Sequence, residues 1–364
     1  MKQLARRPEK LAVAVALVVA LAALARIVAI GRLPEPDADA WAHLGTAKKL
    51  IDHPLQLNLH WVWLPGYHYY LMVLLRFGAS PQGIRYLNTA FVALLPLLIV
   101  GYARPHARHP SVPWLAASFC AAAPIVNLLG ISAQQETLFT LIVLGCAWAI
   151  DAGRFWLGGA LLAAAALVRY EAWGAVALLT GLACIGLVPA VARRLPSFAR
   201  GPRELLRVAL PALAAVFGWI LLHRVVTGKW FGFLRELYRF TKGQRAALSH
   251  GAWMDALWFP LLLPLFLFGL ALPFALFGLR RAVRRGWLVP AGIALFLSLS
   301  YASKGSLGSG RYFDSLAPFV CLAAGEGIAR IVERRPRALW WLGSATTLCL
   351  LALSSYLVTW TYRR

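Results

Sequence analysis

Apolar runs of about 20 residues recur along this chain, the first beginning near Leu11. Each has the length needed to cross a bilayer as a helix. That repetition restricts the chain to an all-α, polytopic membrane fold. Composition agrees, because 60% of the 364 residues are hydrophobic and only 14% are charged. A water-soluble domain cannot hide so much apolar surface. The first run is too long and too poorly terminated for a cleaved signal peptide, so it reads as a retained span.

About eleven spans are predicted, at 11–30, 86–103, 113–130, 135–150, 156–168, 172–189, 208–225, 257–279, 287–302, 312–330 and 338–360. Residues 1–364 then form a single transmembrane domain. The net charge of +23 raises nucleic acid as a partner. The Lys and Arg residues instead sit in short clusters between spans, which is the pattern of loops retained on the cytoplasmic side. With a cytoplasmic N-terminus, the inner loops carry Arg104, Arg108, Arg154, Arg280, Arg281, Arg284 and Arg285 among others. The acids lean outward, to Glu35, Asp37, Asp39, Glu136, Glu171 and Asp314. The Ala-, Leu- and Arg-rich composition is that of a GC-rich bacterial genome. A bacterial inner membrane is then the expected location, and the basic-loop bias puts the acids on its periplasmic side. The cysteines (Cys120, Cys146, Cys184, Cys321 and Cys349) lie in apolar spans without CxxC spacing and read as small buried hydrophobes.

Residues 64–77, LPGYHYYLMVLLRF, are apolar but short, hold a histidine and end in arginine. They are predicted to form a juxtamembrane helix in the interface, with Trp61, Trp63, Tyr67, Tyr69 and Tyr70 at headgroup level. The first periplasmic loop then covers 31–85 and holds an acidic motif. The second covers 226–256, and a short glycine-rich third covers 304–311.

Within PDADAWAH, Asp37 and Asp39 have two readings. An aspartate before AWAHLGTAKKLI can cap a helix by accepting from free backbone N–H groups, and Asp39 is the expected cap. A partly desolvated carboxylate at a membrane-facing site can also act as a general base. His43 lies four residues after Asp39, on the same predicted helix face. His43, His53, His60 and His68 share the loop, and with Asp they are candidate ligands for a divalent metal. Hydrogen-bonded structural histidines are the plainer reading. Glu136, in QQETLF, and Glu171, beside Arg169 in VRYEAW, complement helix N-termini or line a shared polar cavity. Arg311 in SGRYFDSLAP, with Lys304 upstream, reads either as a snorkelling anchor or as a fork for phosphate oxygens.

These blocks together resemble the GT-C superfamily of integral-membrane glycosyltransferases, which use lipid-phosphate sugars. The likeness is nearest to the protein O-mannosyltransferase and aminoarabinose transferase branch. DADAWAHLGTAKKL resembles its acidic first-loop motif, and the D-x-W within it is similar to the catalytic subunit of oligosaccharyltransferase. WLPGYHYYLMVLLRFGASPQGIRYLN resembles its juxtamembrane block, Arg85 included. QQETLF with GRFWLGGALLAAAALVRYEAW, and then GRYFDSLAP, resemble later blocks. The resemblance implies transfer of a sugar from a polyprenyl-phosphate donor to a lipid, glycan or protein acceptor, with inversion. Asp39 takes the place of the catalytic aspartate. Asp37 stays a second candidate, because the family often has Asp-Glu adjacent where this chain has Asp-Ala-Asp. Arg311, Lys304 and Arg169 would meet the donor phosphate. His43, His68, Arg85, Glu136, Glu171 and Tyr312 would line the cavity. The competing reading is a transporter or lipid flippase, which would hold its ionisable groups near the bilayer midplane and show internal repeats.

Overall fold

The computed structural model of the chain describes residues 8–35, 37–188, 193, 195–199, 201–247, 259, 262–303, 305, 309–333 and 338–363. Lys304 and all of 248–256, the end of the second expected loop, lie outside the described residues. Among those described, all regular structure is helical.

Among the described residues, five helices are long and apolar enough to cross a membrane: Ala12–Arg32, Pro81–Ala103, Pro202–Thr227, Gly310–Val332 and Trp341–Thr359. The first belongs to α1 (Pro8–Arg32) and the second is α4 (Pro81–Ala103). A sixth span is α5 (Val112–Ala122) followed by α6 (Pro124–Gly130), bent by 54°. The bend is at Ala123, whose backbone is extended because Pro124 follows it. On length and composition, then, five or six spans are met rather than the expected eleven. The shortfall lies in α7 (Glu136–Asp151), α8 (Phe155–Val168), α9 (Glu171–Gly186) and α14 (Leu288–Ala302). At 1.5 Å per residue these rise only about 21–24 Å. Three of them stop or start at Glu136, Arg169 and Glu171, charged groups that occupy what would have been the outer turns. The expected span 257–279 holds α12 (Leu263–Phe268) and α13 (Ala271–Ala282), separated at Gly269, where φ is +47°.

Leu17, Leu21, Phe217, Val225, Leu276, Leu299 and Leu348 are exposed on the outside of the bundle, the surface an integral membrane protein presents to acyl chains. Cys184 is also exposed, against the expectation of burial. It lies on α9 facing outward, where a thiol meets lipid as easily as a methyl group does. With lipid outside, helices gain little from hydrophobicity and must pack closely through small residues. A Cβ on Gly278 of α13 would lie 1.9 Å from the Ala323 carbonyl oxygen of α15 (Ala317–Val332). One on Gly174 of α9 would lie 2.4 Å from the Gly292 oxygen of α14.

Polar pairs gather at two opposite ends of the bundle. At one, Tyr102 at the foot of α4 donates to Asp151 at the end of α7 (2.6 Å), which also accepts from the Gly286 N–H (2.7 Å). Arg281 forks onto Glu333 there at 2.7 and 3.0 Å. Arg104, Arg108, Arg154 and Arg284 border the same end of the chain. The other end carries α2 (Ala38–Asp52), the 3-10 turn Leu57–His60 and α3 (Pro65–Arg76). Residues 64–77 thus form a 12-residue helix of about 18 Å. Gly66 lets α3 settle on α8, since a Cβ there would lie 2.7 Å from the Leu167 oxygen. Across from it runs α11 (Gly232–Ala247), which follows α10 (Pro202–Thr227). The final helix, α16 (Ala338–Arg363), packs beside α5 and α6.

Candidate functional site

The site begins with a helix cap. Asp37, not Asp39, is the N-cap of α2, and its carboxylate accepts the Asp39 N–H at 2.8 Å. The cap requires extended backbone at the residue outside the helix, and Asp37 has it (φ −110°, ψ 124°). Asp39 sits in the first helical turn, so its side chain projects away. It meets the guanidinium of Arg311 at 2.6 Å. Arg311 lies in the 3-10 turn Gly310–Leu316 that leads into α15, more than 270 residues from Asp39 in sequence. Its Nε lies 3.6 Å from Glu136 Oε1, and the guanidinium lies over the Tyr312 ring.

Behind this pair lies a second, drier cluster. Arg169 is buried between α8 and α9. It holds Glu171 in a two-pronged grip, Nε to Oε2 at 3.1 Å and Nη2 to Oε1 at 2.6 Å. Its third nitrogen binds Glu136. The two carboxylates raise the Arg169 pKa against the opposing effect of burial. Arg311, Glu136, Arg169 and Glu171 therefore form one chain of charges that joins α7, α8, α9 and the 310–316 turn.

A staple missed in the sequence fixes where Asp37 and Asp39 point. Glu35 accepts from Ser132 Oγ (2.6 Å), the Ala133 N–H (2.9 Å) and the Asp37 N–H (3.2 Å). Arg85 donates to the carbonyls of Ile131, Leu33 and Pro34. The buried strand of loop 130–134 has its carbonyls satisfied in turn by Thr89 (Gly130), Arg85 (Ile131), Asn88 (Ser132 and Gln134) and Tyr67 (Ala133). Such a loop is stable inside a bundle because its buried backbone carbonyls are paired. Glu35 carried a visible signal, an acid just past the first span. Asn88 and Thr89 carried only their polarity inside an apolar run.

Two cavities meet at Arg311. The first, about 130 Å³, is lined by Asp39, Trp63, Gln135, Arg169, Glu171, Tyr312 and, from α11, Phe240 and Thr241. The second, about 520 Å³, is largely apolar, with Ile125, Leu128, Leu263, Phe266, Leu267 and Leu357 on its walls and Asp37, Ser309 and Arg311 at its head. Asp39 thus faces one cavity and Asp37 the other. Burial pushes the Asp37 carboxyl above its ordinary pKa, opposed by the Asp39 N–H and by Arg311. Gln135 Oε1 and Glu136 Oε2 are buried without hydrogen-bond partners, two acceptors left over beside the first cavity.

Of the residues expected to line a cavity, Glu171 and Tyr312 do so. Glu136, Arg85, His43 and His68 stand behind the walls. Glu136 is withdrawn by Arg169, and Arg85 by three backbone carbonyls. The two histidines are drawn into a buried string. His43 Nδ1 lies 2.8 Å from His68 Nε2, and His68 Nδ1 lies 2.8 Å from His60 Nδ1. Burial holds all three imidazoles well below their ordinary pKa, His43 at about 3, His60 at about 4 and His68 at about 2. Their ring nitrogens bind one another, and among the described residues no three His, Cys, Asp or Glu side chains converge as metal ligands. The residues present do not fit a divalent ion.

No family model and no curated protein matches the chain. Among solved structures, it is similar to the archaeal oligosaccharyltransferase AglB from Archaeoglobus fulgidus, determined in complex with an inhibitory peptide and a dolichol-phosphate. The TM-score is 0.49 and the identity 12%, over 96% of this chain and 55% of that one. The chain therefore spans about half the length of that structure.

Proposed function

We propose that the chain is a glycosyltransferase of the bacterial inner membrane, moving a sugar from a polyprenyl-phosphate donor to an acceptor at the periplasmic face. The observation that carries this reading is the Asp39–Arg311 pair at the junction of the two cavities. A base and a guanidinium held side by side suit a displacement in which a proton leaves one reactant while negative charge grows on the other. The apolar cavity suits a prenyl tail, with Arg311 at its head to meet the phosphate. The aromatic walls of the smaller cavity suit a sugar or other hydroxyl-bearing acceptor over Asp39. The short helices α7, α8, α9 and α14 and the broken pair α12–α13 cross as well in this reading. Their charged ends are sheathed by neighbouring chain, giving eleven passes. The arginine-bordered end is cytoplasmic by the positive-inside pattern, so the site opens outward.

The reaction follows from these placements. Asp39 takes the acceptor hydroxyl proton, and the oxygen attacks the anomeric carbon from the face opposite the phosphate. The bond from that carbon to the phosphate oxygen breaks, and its electron pair leaves with the phosphate, with inversion. Arg311 meets the charge that develops there. A preorganised donor of this kind is worth a factor of about 10² to 10³ in rate. Arg169 has its guanidinium committed to Glu136 and Glu171, so it positions Arg311 through Glu136 rather than binding donor itself. Asp37 caps α2 and fixes its direction.

The test is reconstitution in liposomes with polyprenyl-phosphate sugars. Wild type should consume donor, and Asp39→Asn, which keeps shape but loses the base, should turn over about 10² to 10⁴ times more slowly. Equal turnover by Asp39→Asn would overturn the role of Asp39. Movement of labelled lipid across sealed vesicles without consumption of the sugar bond would replace the enzyme reading with that of a flippase.

A further inference from the structure

The histidine string is not needed to explain the fold of the outer loop. Tyr67, Gly66 and the Glu35–Arg85 staple already hold α3 and the entrance to α2. Three imidazoles are also an expensive filling for a dry site, because each brings polar nitrogens that must be paired. They are nonetheless almost fully buried, and they join α2, the 57–60 turn and α3. The outermost nitrogens of the string, Nε2 of His43 and Nε2 of His60, have no hydrogen-bond partner.

The hydrogen count of this string is constrained. Each neutral imidazole carries one N–H and one lone pair. Two of the three protons must fill the two N···N contacts. If His43 donates to His68, then His68 must donate to His60, and the third proton sits on His60 Nε2. If His43 accepts, every donor reverses and the third proton sits on His43 Nε2. No other neutral arrangement keeps both hydrogen bonds. The string is therefore bistable, and switching it moves one proton's worth of charge from one end to the other. The electrostatics choose between the two states. His43 feels burial and the positive charges of Arg311 and Arg169, whereas His60 is shifted by burial. Cations favour a lone pair on the near end, so the resting string points its donors from His43 toward His60.

We propose that His43, His68 and His60 form a proton relay between the reaction centre and the outer surface. The inference rests on the glycosyl-transfer reading for the source of its proton. Asp39 and His43 are one turn apart on α2, the spacing at which side chains share a face. With an acceptor seated over Asp39, the direct route from the carboxyl to bulk water is filled by substrate. In the outward stroke, His43 Nε2 takes the proton from Asp39. The Nδ1 proton of His43 passes to His68 Nε2, that of His68 Nδ1 passes to His60 Nδ1, and the His60 Nε2 proton leaves. His60 precedes the exposed Trp61 and packs against Tyr69 and Trp219, and its Nε2 is the buried end of the string from which the proton leaves. The outward stroke leaves the donors reversed. The return stroke takes a proton from water at His60 and delivers one from His43 Nε2 to Asp39, which hands it to the departing phosphate monoester. One acceptor proton has then been exchanged for one phosphate proton, and the string is reset. His43, His68 and His60 touch no substrate in this scheme and act through Asp39.

The experiment has two arms. The first needs no donor and no turnover. Nitrogen-15 NMR of the wild-type chain in nanodiscs, with histidine labelled in the ring, should show three neutral imidazoles at pH 7. His43 should be protonated at Nδ1 and His60 should carry a proton at Nε2. The reverse tautomers, or an imidazolium at any of the three, would overturn the relay whether or not the chain is an enzyme. The second arm is kinetic. His68→Phe keeps a ring in the site but cuts the string, and should lower kcat about 10-fold to 100-fold with the donor KM unchanged. His60→Ala opens space near the surface, and added imidazole should restore its lost rate. A merely structural role would give no rescue by imidazole, and that result sinks the relay. If wild type consumes no donor at all, the transferase reading falls, and the tautomer pattern still decides whether the string has the direction assigned to it.

Discussion

Arg311 and Arg169 are neighbours in one charge cluster, yet their removal should have opposite consequences. In the Asp39–Arg311 pair, 32% of the Asp39 side chain and 22% of the Arg311 side chain are exposed. When Arg311→Ala removes the cation, water reaches Asp39 and replaces most of what was lost. Pairs of this exposure contribute at most about 1 kcal/mol, a shift of roughly 2–4 °C in Tm for a chain of this order of size. Under the proposed transferase mechanism turnover should nonetheless fall by about 10² to 10³, because the cation assigned to the leaving phosphate is gone. Arg169 is 6% exposed, and its partners Glu136 and Glu171 are 2% and 9% exposed. Arg169→Ala strands two buried carboxylates, and breaking a buried pair from one side costs about 3–5 kcal/mol. Its Tm should drop by roughly 10 °C or more, or the chain should fail to accumulate in the membrane. The assay is thermal unfolding of both variants in the same detergent, followed by donor consumption at a temperature where both are folded. An Arg311→Ala protein as unstable as Arg169→Ala, or one that keeps more than a tenth of wild-type turnover, would refute the division between a working cation and a structural one.

Two further outcomes follow from the packing and from the buried imidazoles. His43, His60 and His68 stay neutral in the folded chain far below an ordinary histidine pKa of about 6.5, whereas the unfolded chain binds protons once the pH drops below that value. Their contribution is therefore fully present above about pH 6.5 and is lost as the pH falls toward 4. At pH 5.5 the loss is about 1 kcal/mol per histidine, so Tm measured by intrinsic fluorescence should fall between pH 7.5 and 5.5. Changing all three to Gln should flatten that slope, and an unchanged slope would contradict the assigned neutral state. Gly278→Ala places a methyl group 1.9 Å from a backbone oxygen of α15, which no side-chain rotation relieves. Overpacking of this kind costs about 1–3 kcal/mol, and a variant melting with wild type would show that α13 and α15 do not approach as described.

Much of this protein is determined by the order of its residues. Runs of apolar residues long enough to cross a bilayer dictate helices, and arginine clusters between them dictate which ends share a side. Asp39, Arg311, Glu136 and Glu171 stood out because charges are scarce in such a chain and costly near lipid. Local chemistry also placed a capping aspartate at the start of α2, but pointed to Asp39 where Asp37 is the cap. That choice depends on a φ/ψ pair set by the Glu35 staple, which reaches across to loop 130–134. Tertiary structure alone brought residue 39 to residue 311, committed Arg169 to two glutamates and left Arg311 between two cavities. It also turned three scattered histidines into one hydrogen-bonded string. Hydropathy is a sum over neighbours in sequence, so it can be read from the chain. Charge pairing and cavity shape depend on distances between segments far apart in sequence, and those exist only once the helices have packed.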